Sequence, residues 1–97
     1  MELYNTHTID ELARILVPYE LRCKLGLSAE SQLLLKAVDA MVVVQQLQND
    51  PEPDDFVCKM DDLGRIKLPS ELRRKLGWKE KDMIDMYTKD SLIILKK

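Results

Sequence analysis

The sequence predicts a mainly-β barrel with short helices, built from two tandem ββαββ repeats related by a pseudo-two-fold axis. Three observations lead there. The chain repeats itself at an offset of 51 residues, each copy places one Pro-to-Gly helix among short β-type segments, and 97 residues suffice for one core but not for several.

Residues 9–46 align with 60–97 without a gap. Asp10, Leu12, Arg14 and Ile15 match Asp61, Leu63, Arg65 and Ile66. Pro18, Glu20, Leu21, Arg22, Lys24, Leu25 and Gly26 match Pro69, Glu71, Leu72, Arg73, Lys75, Leu76 and Gly77, and Asp39 matches Asp90. Ordinary composition yields far fewer identities over such a length. The chain therefore divides into a divergent first repeat at 1–46, a connector at 47–55 and a second repeat at 56–97.

The second repeat is the clearer copy. Phe56 to Met60 reads as a strand, Asp61 to Gly64 as a turn, and Arg65 to Leu68 as a half-buried strand that alternates polar with apolar residues. Pro69 ends that strand and Ser70 is positioned to cap a helix over Glu71 to Leu76. Gly77 stops the helix in a left-handed conformation, and Trp78 beyond it can pack back on Leu72. Met83 to Tyr87 and Leu92 to Leu95 flank Lys89-Asp90-Ser91 as a β-hairpin. Four short strands and a two-turn helix bury too little alone, so each repeat needs the other. The connector, with two prolines and four carboxylates, reads as extended. It lacks the turn glycine and twelfth-position glutamate of a calcium loop, and no metal or cofactor is expected.

Charge follows the same division. The net −2 of the chain resolves into −2 for the first repeat, −4 for the connector and +4 for the second repeat. The basic half is where a polyanion is expected. Cys23 and Cys58 have no CxxC spacing and read as reduced thiols. No basic-then-apolar leader opens the chain, and no apolar run reaches membrane-spanning length, so a cytoplasmic protein without a membrane partner is expected. Enzymatic readings are weak. His7 reads as a surface residue near the terminus, Asp61-Asp62 as turn chemistry, and no nucleophile-base pair or phosphate loop can be assembled for a small-molecule substrate.

From Lys59 through Asp-Asp-Leu-Gly-Arg, Leu-Pro, Glu-Leu-Arg-Arg and Leu-Gly77, with Asp82 and Ile93 to Lys97, the second repeat resembles the DNA-binding domain of AbrB-type bacterial transition-state regulators. SpoVT and the MazE-like antitoxins share that superfamily. The first repeat resembles it more weakly. The resemblance implies a swapped-hairpin barrel, here completed within one chain, and a bacterial, nucleoid-associated repressor that binds A/T-rich duplex DNA through arginines. Carried over, the DNA-binding residues are Arg65, Arg73 and Arg74, with Lys59, Lys67 and Lys75 beside them and Arg14 and Arg22 from the first repeat. Cys58 stands where the family has an arginine, Cys23 where it has the second helix arginine, and Ala13 in place of the turn glycine.

Arginine suits this role because its planar guanidinium stays charged and forms paired bonds to phosphate or guanine edges. The alternative reading makes Arg73, Arg74 and Lys75 the solvated face of a helix, paired with nearby carboxylates. Where the second repeat has Lys67, Ser70, Asp85 and Lys89, the first has Leu16, Tyr19, Leu34 and Val38. If the repeats fold alike, these form an outward apolar surface for a homodimer or protein partner; otherwise the first repeat folds differently and buries them. The competing function is a protein-interaction module, antitoxin-like or anti-regulator, that has lost DNA binding.

Overall fold

A computed structural model describes residues 2–97. The first repeat contributes β1 (Glu2–Thr8), β2 (Arg14–Leu16), α1 (Tyr19–Leu25), β3 (Gln32–Val38) and β4 (Met41–Gln46). The second contributes β5 (Phe56–Lys59), β6 (Arg65–Lys67), α2 (Ser70–Leu76), β7 (Met83–Lys89) and β8 (Leu92–Lys96) in the same order. Six strands form one antiparallel sheet ordered β1-β7-β8-β4-β3-β5, and β2 pairs with β6 as a separate ribbon.

The repeats interlock. The first strand of each pairs with the third strand of the other, with His7 opposite Ile84 and Cys58 opposite Leu33, the same register at an offset of 51. The ribbon is centred on Ile15 opposite Ile66, and the β4–β8 pair places Val43 opposite Ile94. Both are pairs of equivalent residues, as a two-fold axis through the two contacts requires. This is the exchanged-hairpin barrel anticipated from the sequence, completed within a single chain.

Backbone and core obey the same offset. Left-handed residues occur at Ala13 and Gly64, Gly26 and Gly77, Glu30 and Lys81, and Asp39 and Asp90. Buried residues pair likewise: Ile9 with Met60, Val17 with Leu68, Leu21 with Leu72, Leu27 with Trp78, Leu33 with Ile84, Leu35 with Met86. Each such burial is worth about 1.5–3 kcal/mol. Because the two sets fill one cluster, neither repeat keeps its core without the other.

Local details refine the sequence expectations. Helix α2 begins at Ser70, with Pro69 in the cap position and no side-chain cap bond, so Ser70 is the first helical residue and does not cap. Proline's fixed φ supplies the entry geometry instead. The Trp78 N–H donates to the Arg73 carbonyl at 2.9 Å, and Trp78 joins Leu72 in the core, completing the expected stop. The connector is not wholly extended. The Asp55 carboxylate accepts the Glu52 N–H at 2.9 Å to form a turn, and lies 3.7 Å from Lys36 Nζ. Nor does His7 lie fully on the surface: it is half-buried. Its strand pairs with β7, and its Nε2 is enclosed with no hydrogen-bond partner among the described residues.

Candidate nucleic-acid interface

The ribbon is built by two aspartates. Asp61 Oδ1 accepts the N–H groups of Leu63 and Arg65 at 2.9 and 2.8 Å, folding the turn that leads into β6. Its Oδ2 accepts Arg65 Nε at 2.8 Å. Asp10 does the same for Leu12, Arg14 and Arg14 Nε, at 2.9, 2.7 and 2.8 Å. One carboxylate thus shapes each turn and anchors each guanidinium. The Arg65 N–H is the largest influence on Asp61 and holds its carboxyl below the usual carboxylate range, against the opposing effect of burial. For Asp10, burial acts to raise the value, but bonds from Arg14 and Leu12 outweigh it and the net shift is again downward.

With Ile15 and Ile66 turned inward, the ribbon's outer face carries Arg14 opposite Lys67 and Leu16 opposite Arg65. The helix arginines flank it. Arg22 Nε donates to the Val17 carbonyl at 3.0 Å, while the Val17 N–H donates to the Gly64 carbonyl of the other repeat at 2.9 Å. A side chain on Gly64 would stand 2.5 Å from the Arg22 guanidinium carbon, so the turn glycine makes room for an arginine of the other repeat. Arg73 is tied equivalently, through the Leu68 carbonyl at 3.0 Å and the Leu68 N–H to Ala13 at 2.8 Å.

Each end of the face therefore mixes the repeats. The Gly64 end gathers Arg65, Arg22, Leu16, Tyr19 and Cys23. The Ala13 end gathers Arg14, Lys67, Arg73 and Arg74, and the Met60–Ile66 bridge brings Lys59 alongside Lys67. Lys59 also lies 3.5 Å from Glu30, with both side chains largely exposed. Arg74 and Lys75 are exposed on α2. An open cleft lined by Ser70, Arg73, Arg74, Gly77 and Trp78 adds Lys79, which the sequence reading missed. Its only signal was a lysine directly after the tryptophan of the helix stop. Cys58 packs toward the core, where burial pushes its thiol up to about 11, so this position presents no charge.

The four apolar substitutions of the first repeat do not form one patch. Leu16 and Tyr19, 36% and 69% exposed, lie on and beside the ribbon; Arg22 sits 5.4 Å over the Tyr19 ring. Leu34 and Val38 lie on β3 of the six-stranded sheet. Leu34, expected to face outward, is 7% exposed. It lies outside the central core cluster, flanked on its strand neighbours by Val57 and Gln45.

This arrangement holds four guanidinium groups through Nε, those of Arg14, Arg22, Arg65 and Arg73, and places Arg14 Nη1 3.9 Å from the Asp61 carboxylate of the other repeat; a planar guanidinium can pair with an oxyanion or a guanine edge. Residues 59–97 match the family model described as antidote-toxin recognition MazE, bacterial antitoxin. Over 42 residues the chain is 56% identical to the transition state regulatory protein AbrB of Bacillus subtilis (strain 168), a match covering 43% of this chain and 44% of that relative. The chain thus spans less than half the length of the regulator it matches. The solution structure of PHS018 from Pyrococcus horikoshii aligns over 98% of this chain and 90% of its own, with a TM-score of 0.56 and 18% identity, which shows a shared fold alone. The resemblance read from residues 56–97 is borne out, and its curated relative is named as a regulator.

Proposed function

We propose that the protein is a DNA-binding transcriptional regulator of the transition-state type, holding A/T-rich duplex against the β2–β6 ribbon and its flanking helices. The observation that carries this reading is the anchoring of four arginines. Arg14 and Arg65 are held by Asp10 and Asp61, and Arg22 and Arg73 by backbone carbonyls. Groups fixed before binding lose little side-chain freedom when the duplex arrives. A two-stranded ribbon fits the width of the major groove, so the same face can position phosphates and reach base edges. Lys59, Lys67, Arg74 and Lys75 add charge without a fixed geometry, which suits phosphate contact. The A/T preference rests on the family resemblance, and the name of the curated relative supports a regulatory role.

The test is fluorescence polarisation with an A/T-rich duplex across a salt series. The expected affinity falls linearly with salt on logarithmic axes, with a slope of roughly −0.9 for each phosphate neutralised. Changing Arg65 and Arg73 together to Ala should lower affinity at least about thirtyfold. No duplex binding at low salt, with a protein recovered in its place, would make the barrel an interaction module.

A further inference from the structure

The pseudo-two-fold axis exchanges Leu16 with Lys67 within an otherwise cationic face. Leu16 is directly opposite Arg65, and Arg14 is directly opposite Lys67. Ile15 and Ile66, each 1% exposed, take the inward positions, so Leu16 stands outside the core beside a guanidinium. A leucine here neither donates nor accepts a hydrogen bond. Against duplex DNA it can only cover apolar surface, and the apolar group that the major groove presents is the thymine C5-methyl.

Resting on the DNA-binding reading above, we propose that Leu16 packs on a thymine methyl next to the contact made by Arg65, so that the preferred DNA site is asymmetric. Residues directly opposite in an antiparallel pair have Cβ atoms about 4.5–5.5 Å apart. Bases follow one another at about 3.4 Å along a strand, so Leu16 and Arg65 fall within one or two base steps. The Gly64 end then combines an arginine contact with a methyl contact. The Ala13 end has Lys67 in the leucine's place beside Arg14, so it can make an arginine contact but no methyl contact. The cations on either side commit this apolar surface to a polyanion in preference to a protein's apolar face. The duplex offers both chemistries at that spacing.

Replacing every thymine of an A/T-rich duplex by deoxyuridine removes the methyl groups and keeps the base-pairing edges. Wild-type protein is expected to bind the thymine duplex about three- to fivefold more tightly than the uracil duplex, the gain from burying one methyl. Leu16→Ala should bind both duplexes alike. Leu16→Lys, which copies the second repeat's residue, should bind both more tightly than Leu16→Ala does and still show no thymine preference. Equal wild-type affinity for the two duplexes, or a thymine preference retained in either variant, would overturn the inference while leaving the DNA-binding reading intact. Absence of any duplex binding by wild-type protein would overturn both.

Discussion

The two repeats agree in backbone down to each left-handed residue, and they disagree on their outer surfaces. Ala13 and Gly64 share a positive φ, and Asp10 and Asp61 make the same three bonds, whereas Leu16, Tyr19 and Cys23 stand at the positions equivalent to Lys67, Ser70 and Arg74. Packing and turn geometry constrain both copies because one shared core depends on them. The outer positions are free to specialise. Since each end of the ribbon face draws on both repeats, the surplus charge of residues 56–97 concentrates at one end of the surface and does not define a separate half of the molecule.

The strongest way to break this equivalence is in the core. Leu21→Ala and Leu72→Ala should each cost about 2–5 kcal/mol, with similar values because both side chains enter the same cluster. Urea unfolding of either variant should show one cooperative transition; two transitions would mean that the repeats hold separate cores.

A smaller effect sharpens the place where the turns differ in backbone freedom, Ala13 against Gly64. Gly64→Ala should destabilise by about 1–3 kcal/mol, because φ is +83° and the new methyl meets the Arg22 guanidinium. It should also weaken duplex binding by displacing Arg22. Ala13→Gly relieves a left-handed alanine at +63°, but it removes a methyl buried in the core, worth about 0.8 kcal/mol, and adds entropy to the unfolded chain, so its net effect should stay within about 1 kcal/mol of zero. Thermal melts should therefore show a clear drop for Gly64→Ala and little change for Ala13→Gly.

The smallest effect tests the equivalence of the two aspartates. Both carboxyls are held below their ordinary value of 3.8 in the fold, so their contribution is present above that pH and is lost as pH falls through the depressed folded values. Asp10→Asn and Asp61→Asn should each lower the melting temperature by a few degrees at pH 7. The gap from wild type should narrow below about pH 3.8. A gap that stayed constant down to pH 2 would show that charge on the aspartates contributes nothing.

Much of this was legible in the residues. The ββαββ order and the helix stop at Gly77 follow from local patterns of Pro, Gly, Asp and alternating apolar residues, the repeat follows from the self-match at an offset of 51, and the choice of Arg65, Arg73 and Arg74 follows from the family resemblance. The exchange of strands between repeats came from the family resemblance, because pairing β1 with β7 is a long-range choice that no local window encodes. For the same reason His7 read as a surface residue: its inward direction is set by Ile84 in another repeat. Leu34 read as outward because it aligns with Asp85, and it does lie on the face away from the core cluster, but between the neighbouring strands β4 and β5 it is 7% exposed. Asp61 read as a turn former and Asp10 as its aligned match, and their second task of holding Arg14 and Arg65 appears only once both ends of the turn are placed.

The central claim is that the binding face belongs to both repeats. It is tested most directly by comparing duplex affinity, at one low salt concentration, for Arg14→Ala/Arg22→Ala and Arg65→Ala/Arg73→Ala proteins that remain folded by circular dichroism. The account predicts losses at least about thirtyfold in both and within about fivefold of each other, since each pair removes one arginine from the ribbon and one from a helix. Affinity within twofold of wild type for the first-repeat variant, with binding abolished in the second, would contradict it.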